Sequence, residues 1–540
     1  MAKFTRVDAW NEGGDFSNQT LLWYAKGVGK MMSRPMNDQA SWWFFAAIHG
    51  EYVNPATPGY PGPVFPNWSL ISSPPSIPSI ALPPPSTQAQ YWNQCQHGSW
   101  YFLPWHRGYL LALEAQLRAD IVSLGGPATW ALPYWNYFGG VQGANAKLPP
   151  AFAETKLPDG TANPLFVTMR YGPDANGTVY IPTDKWDSTH PKDKNWSYGD
   201  VTEKCLSNDK YTGSDPATPL PGFGGPESLF SHNGGPHGNV ESNPHDLVHV
   251  YTGGSITETN YGLMADPGTA ALDPIFYLHH SNIDRVWATW NGTGKANPSD
   301  TGWLNGPLRK FVMPMPGGES WSYTPRDMNS LAVLDYTYQD LHLPTQPALN
   351  ATTQRLKNLG VPLSPGVNLR ASPVGKVQAP ADLLGASAPH VQISGAGTGP
   401  VNLRMDHALK NLVTASLSDA SHDTPPDRVY LKLENVRGVL DSTVLGVFIN
   451  LPTDASADER QNYFVGSVGL FGIRAASAVN GAHSGAGLTF VLDISAVVDQ
   501  LHLQNKLSAD NLRVSLLPRQ NLPHQTTIEV GRLSLYRQAN

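Results

Sequence analysis

Residues 97–120 read HGSWYFLPWHRGYLLALEAQLRAD, and residues 271–290 read ALDPIFYLHHSNIDRVWATW. In the first stretch Leu103, His106, Leu110, Leu113 and Leu117 recur at helical spacing, which places His106 on the apolar, inward face of a helix. Arg107 and Glu114 are charged members of the same helix. In the second stretch Asp273 suits a helix cap and Pro274 the first helical turn; the helix they start carries His279, His280, Asp284, Arg285 and Trp287. Between the two lies ESNPHDLVHVYTGG, residues 241–254, where His245 and His249 are four apart. On a helix that spacing puts both imidazoles on one face, about one turn apart, able to bind one metal ion. Upstream, SWWFFAAIHGEY (residues 41–52) sets His49 at the end of an apolar helical run that Gly50 stops.

A lone inward histidine is usually a satisfied core residue. Six of them at inward helical positions would leave many polar nitrogens to satisfy. A metal centre satisfies one nitrogen of each, and neighbouring acceptors satisfy the other. An all-imidazole set suits zinc, copper, iron or nickel. The HxxxH is His-Asp-Leu-Val-His, without the glutamate of a zinc protease, and no ExxH pair speaks for a di-iron carboxylate bundle. These arguments favour copper and leave the other metals open.

The rest of the composition bounds the function. At 540 residues the chain predicts two or three domains. A net charge of −7 does not suggest a nucleic-acid partner. No run of 18 apolar residues crosses a membrane. The first residues have no apolar segment of the secretory kind, so a cytoplasmic location is expected. Two cysteines, Cys95 and Cys205, exclude a disulfide-built scaffold. A homo-oligomer stays open.

Texture divides the chain in three. Residues 1–342 carry helical patterns, interrupted by a proline-rich insertion at 54–88 that reads as a long surface loop. Residues 343–388, rich in Pro and Ala, read as an extended connector. From 389 to 540 the period becomes two, in segments such as VYLKLEN (429–435), STVLGVFIN (442–450) and TIEVGRLSLY (527–536), which predicts an all-β sandwich or barrel.

At this point the residues resemble a known family, the type 3 copper proteins: tyrosinases, catechol oxidases and haemocyanins. His97-x4-Phe102-Leu103-Pro104-Trp105-His106-Arg107-x2-Leu110-x3-Glu114 resembles its copper A signature. Asp273-Pro274-Ile275-Phe276-Tyr277-x2-His280-x3-Asp284 resembles its copper B signature, and Tyr336 and Tyr338 match the Tyr-x-Tyr pattern that closes the core in many relatives. The resemblance implies a four-helix-bundle dicopper domain followed by a β-sandwich. It assigns one copper to His49, His97 and His106, and the other to His245, His249 and His280, leaving His279 beside them or in the pocket wall. It implies a thioether between Cys95 and His97. It gives Glu241 the task of holding a water and helping to take a phenol proton. Asp246 stands where many hydroxylating relatives carry Asn, Val250 follows the second copper B ligand, and Pro267 falls near where some relatives place a bulky gate.

The implied activity is that of a tyrosinase, using O2 to hydroxylate monophenols and oxidise ortho-diphenols to ortho-quinones. Catechol oxidase and ortho-aminophenol oxidase are alternatives, and an oxygen-binding haemocyanin-like protein a more distant one. The C-terminal strands resemble the β domain of plant polyphenol oxidases, which implies a lid. Phe448 and Phe471 are its candidate pocket-filling residues, and connector cleavage, mild detergent or acid the expected means of release.

Overall fold

The computed structural model describes residues 3–51, 82–184, 199–213, 220–232, 235–258, 260–341, 351–361, 381–421, 424–479, 484–504, 512–524 and 526–539. Most of the proline-rich insertion, and the connector apart from 351–361 and 381–388, lie outside them.

The first part is helical: α1 Gln19–Met32, α2 Trp42–His49, α3 Pro85–Tyr91, α4 Phe102–Ser123, α5 Leu247–Gly253, α6 Ile275–Gly292 and α7 Thr301–Asn305. The strands are β1 Phe4–Arg6, β2 Gly235–Pro236, β3 Ser255–Thr257, β4 Asn260–Tyr261, β5 Phe311–Met315, β6 Glu319–Tyr323, β7 Tyr336–Tyr338, β8 Ala381–Ala386, β9 Val391–Ser394, β10 Val401–Met405, β11 Arg428–Arg437, β12 Val444–Ile449, β13 Phe464–Gly469, β14 Leu488–Asp493, β15 Leu512–Pro518 and β16 Thr527–Gln538. Helix α2 is buried on every side, because its sequence WWFFAAIH offers no polar face before His49. Ser41 starts it, its hydroxyl accepting the Phe44 N–H at 3.0 Å.

Helices α4 and α6 are tied by a buried ionic network made of the signature residues that are not histidines. Asp284 accepts Arg107 Nε at 2.6 Å on one oxygen. On the other it accepts the hydroxyls of Tyr336 and Tyr338, at 2.6 and 2.5 Å. Arg6 spans Glu114 (2.9 Å) and Asp284 (3.3 Å). Burial works against the Asp284 charge, but Arg107 and Arg6 hold its carboxyl below the usual carboxylate range. Parallel pairing of β1 with β7 delivers Arg6 and the two tyrosines to the same place.

The C-terminal part is a β domain whose hydrogen-bonded path runs β13-β12-β15-β10-β8-β16-β11-β14-β2, with β9 also on β16. The period-two reading holds where one face meets the core: in β9, Val391 and Ile393 are buried while Gln392 and Ser394 face out. Two elements fall inside the stretch expected to be connector. Helix α8, Ala351–Asn358, is fastened by Arg355 to Asp499 at 2.7 Å. Strand β8 pairs with β16 and β10, so the sheet begins at Ala381, ahead of the expected 389. A helix, α9 His407–Ser418, also interrupts the strands.

The β domain is docked on the helical one. Strand β2, from the helical domain, pairs in parallel with β14. Asp200 accepts Arg519 at 2.8 Å and the Ser467 hydroxyl at 2.9 Å, and Tyr251 also donates to it. Ser442 donates to Ser255 at 2.7 Å, and Arg474 reaches the Glu258 carbonyl at 3.0 Å. Strand β13 comes so close that a Cβ on Gly469 would stand 3.2 Å from the Asp246 backbone.

One interface group sets a pH dependence. Burial pushes the Asp441 carboxyl up to about 7; Asp266 of the helical domain adds to this and Arg474 pulls it back. The folded chain therefore holds this proton more tightly than the unfolded chain, where Asp titrates near 3.9. Its contribution to stability is full below about pH 4 and falls as pH rises toward about 7, by at most about tenfold in the equilibrium per pH unit. We expect the melting temperature of the full chain to carry a fall between those limits that Asp441→Asn flattens. An equal fall in both proteins would contradict this.

Candidate metal centre

Two groups of histidines face one another in the helical domain. His49, His97 and His106 form one, with His245, His249, His279 and His280 in the other; within each group one ring nitrogen from every residue lies within 4.8 Å of the others. Every one of these side chains is buried. The two groups adjoin: the rings of His106 and His280 stack with centroids 4.4 Å apart.

The ring nitrogens divide by task. Nδ1 of His49 is 2.9 Å from the Pro267 carbonyl, that of His106 is 2.8 Å from the Phe102 carbonyl, and that of His249 is 2.9 Å from the Met264 carbonyl. Nδ1 of His245 lies 2.8 Å from Asp246 Oδ1. Nδ1 of His97 lies 3.4 Å from Cys95 Sγ. The Nε2 atoms of His49, His97, His106 and His245 are buried with no hydrogen-bond partner in the protein. His249 Nε2 faces His280 Nε2 at 3.3 Å. Two ligand nitrogens about 2.0 Å from one ion at a tetrahedral angle stand about that far apart. Burial keeps these rings below the ordinary histidine range, with neighbouring imidazoles adding at all but His106; His106 and His279 are brought down to about 3. All are neutral at pH 7, the form that binds a metal. Acceptor-anchored Nδ1 atoms with convergent, unpartnered Nε2 atoms are the donor pattern a pair of copper ions requires.

Local structure departs from the expected helical placement twice. His97 sits on the loop before α4, its N–H on the Ser231 carbonyl at 3.2 Å. His245 lies in a π-helical turn, Glu241–Asp246, broken at Asn243 before α5 starts. The His245 and His249 rings nonetheless come within 4.5 Å. His279 stacks on His245 at 5.3 Å, lies 5.9 Å from Tyr137, and has no hydrogen bond on either ring nitrogen. Pro267 supplies its carbonyl to His49, and the approach demands a glycine opposite, since a Cβ on Gly50 would stand 2.9 Å from that oxygen. Val250 is buried in α5.

Glu241 is fully buried. Its Oε1 accepts the Gly98 N–H at 2.9 Å, next door to His97, while Oε2 has no partner in the protein. Burial is the main cause lifting its carboxyl to about 8; His237 opposes and Asp246 adds. Asp246 uses both oxygens, Oδ1 on His245 and Oδ2 on His237 Nδ1 at 2.7 Å. His237 and His232, the latter 3.0 Å from Cys95 Sγ, escape a sequence reading. Both sit in irregular backbone, where no periodicity marks a side chain as inward.

The β domain reaches this centre through Phe471, in the turn after β13. Its ring stacks on His249 with centroids 4.1 Å apart and planes 19° from parallel. It also lies 5.7 Å from both His97 and His245. Phe448, the other expected candidate, packs instead against Phe464 at 5.4 Å.

Comparison with known proteins agrees with this geometry. Residues 39–293 match the family model for the common central domain of tyrosinase, and 380–538 match a domain of unknown function (DUF7868). The chain is 31% identical over 532 residues to the tyrosinase HcTyr1 of Hahella sp. (strain CCB-MM4), covering 97% of each. It is 30% identical over 366 residues to polyphenol oxidase A1 of Vicia faba, 66% of this chain and 51% of that protein, so it spans about half the plant relative's length. Among solved structures it shares the fold of latent apple tyrosinase, with TM-score 0.55 at 18% identity over 100% and 98% of the two chains. A latent aurone synthase gives 0.56 at 17% identity, over 99% and 89%. With its facing histidine clusters and a match along nearly the whole of a bacterial tyrosinase, the chain belongs to the tyrosinase family, dicopper type 3 oxidoreductases that use O2.

Proposed function

We propose that the protein is a tyrosinase, hydroxylating monophenols at the ortho position and oxidising ortho-diphenols to ortho-quinones. We assign copper A to His49, His97 and His106, and copper B to His245, His249 and His280. The observation that carries the substrate class is Phe471: a flat aromatic ring lies face to face with a ligand imidazole at 4.1 Å, between both histidine groups. A phenol ring has the same shape.

Bound there, the copper pair supplies the uptake of O2 and the electron transfer from the phenol. The chain does the rest. The anchored Nδ1 atoms fix the orientation of His49, His106, His245 and His249, and burial keeps bulk water from the centre. Glu241 holds a water and takes the phenol proton on Oε2, with Oε1 fixed by Gly98; a carboxyl near 8 is matched to proton transfer around neutrality. His279 and Val250 form part of the pocket wall. The second reading, a diphenol oxidase without hydroxylation, rests on Asp246, whose oxygens are both engaged by imidazoles. Oxygen uptake by copper-loaded enzyme, freed of its C-terminal domain, decides: a monophenol and its matching catechol should both be consumed. Catechol consumption alone selects the second reading, and neither consumed favours an oxygen carrier.

The domain limits we propose are 1–342 for a four-helix-bundle catalytic domain and, in place of the expected 343–388, a cleavable connector that ends where β8 starts at Ala381. The lid, folded as a sandwich, takes the remainder. Its function is steric, with Phe471 in the phenol's place.

We also propose a Cys95–His97 thioether, from the 3.4 Å separation of Sγ and Nδ1 in a buried site. Copper-loaded protein exposed to O2 should then weigh about two hydrogens less than the calculated chain, one C–S bond replacing an S–H and a C–H while the two electrons and two protons pass to O2. A thiol reagent should label only Cys205 after unfolding. Labelling of both cysteines would reject the crosslink.

A further inference from the structure

His237 lies outside both histidine groups, and the proposed chemistry does not use it. It follows β2 directly and is 3% exposed. Its Nδ1 is 2.7 Å from Asp246 Oδ2 and 3.9 Å from Glu241 Oε1. Phe490, from β14 of the C-terminal domain, covers the ring with centroids 6.0 Å apart. The pairing of Gly235 and Pro236 with Leu488 and Thr489 fixes the strand that carries it.

Asp246 is wholly buried, one residue from a copper ligand. A buried carboxylate is costly unless its charge is balanced and its oxygens are hydrogen-bonded. Two imidazoles satisfy the oxygens: His245 on Oδ1 and His237 on Oδ2. His245 donates Nδ1–H and keeps Nε2 for a metal, so the second oxygen of Asp246 depends on His237.

We propose that His237 is a positioning residue of the copper B site: its Nδ1 holds Asp246 Oδ2, and Asp246 so held orients His245 with Nε2 toward the ion. This rests on His245 being a copper B ligand. The chain of contacts also links the centre to the C-terminal domain, because Phe490 and β14 hold His237 from the far side.

The test uses the full, copper-loaded chain and follows release of copper to a Cu(I) chelator after reduction. His237→Ala should speed loss of one copper by about 10–100-fold, the range for removing an outer partner of a ligand. His237→Gln keeps a side-chain N–H for Asp246 Oδ2 and should recover most of the retention, whereas His237→Leu fills the space without a donor and should lose copper as His237→Ala does. Release as slow as in the unaltered protein in His237→Ala and His237→Leu would overturn the proposal, as would His237→Gln no better than His237→Leu. His245→Ala is the reference: if it keeps both coppers, the ligand assignment fails, whatever His237 does.

Discussion

Phe471→Ala in the full-length chain is expected to raise catechol turnover by about tenfold or more, without any cut in the connector. The ring lies against His249 at 4.1 Å and is 2% exposed, so a substrate ring and Phe471 cannot share the space. A tethered side chain competes at an effective concentration that free substrate rarely matches. Burying such a ring is worth about 1.5–3 kcal/mol, and about 1.4 kcal/mol is tenfold in an equilibrium. Removing it acts twice: it empties the place a phenol needs, and it weakens docking of the whole domain. Phe448→Ala is the matched control, since Phe448 is also buried and packs against Phe464. It should lower the melting temperature and leave latency in place. Should Phe471→Ala remain as slow as the full chain while trimmed enzyme is fast, another group holds the pocket.

How much of this was legible in the sequence depends on periodicity. His106 stood out because leucines three and four residues away mark one helical face, and α4 buries that face. Arg107, Glu114, Asp284 and the two tyrosines were readable only as members of signatures. Their common cause, a buried ionic tie between β1, α4, α6 and β7, appears only when four distant segments meet. His237 and His232 sit in irregular segments, where a side chain's direction is set by tertiary contacts alone. The choice between Phe448 and Phe471 was likewise undecidable: β12 is buried at all six positions, so alternation names no face, and Phe471 belongs to a turn. Strand β8, ADLLGA, was hidden by small residues of low strand propensity beside a proline-rich stretch.

The adjacent pair on α6 gives the sharpest loss. His280→Ala should drop the copper content from two ions per chain to one and abolish turnover, while His279→Ala should keep both. Neighbouring residues on a helix point about 100° apart, so one ion cannot be served equally by both rings. We assign the ligand role to His280, whose Nε2 stands 3.3 Å from His249 Nε2, a spacing two neutral imidazoles accept when a cation lies between them. His279 instead lies flat along His245, with Tyr137 nearby. Losing one of three ligands exceeds the 10–100-fold cost of disturbing an outer partner. His279→Ala should therefore alter KM or turnover by widening the pocket, with metal content intact. Metal analysis after dialysis against a weak chelator reads the difference, and equal melting of the two copper-free variants shows that neither result is a folding defect. If His279→Ala loses a copper and His280→Ala retains both, the two residues exchange roles, and Phe471 stacks over a differently built copper B site.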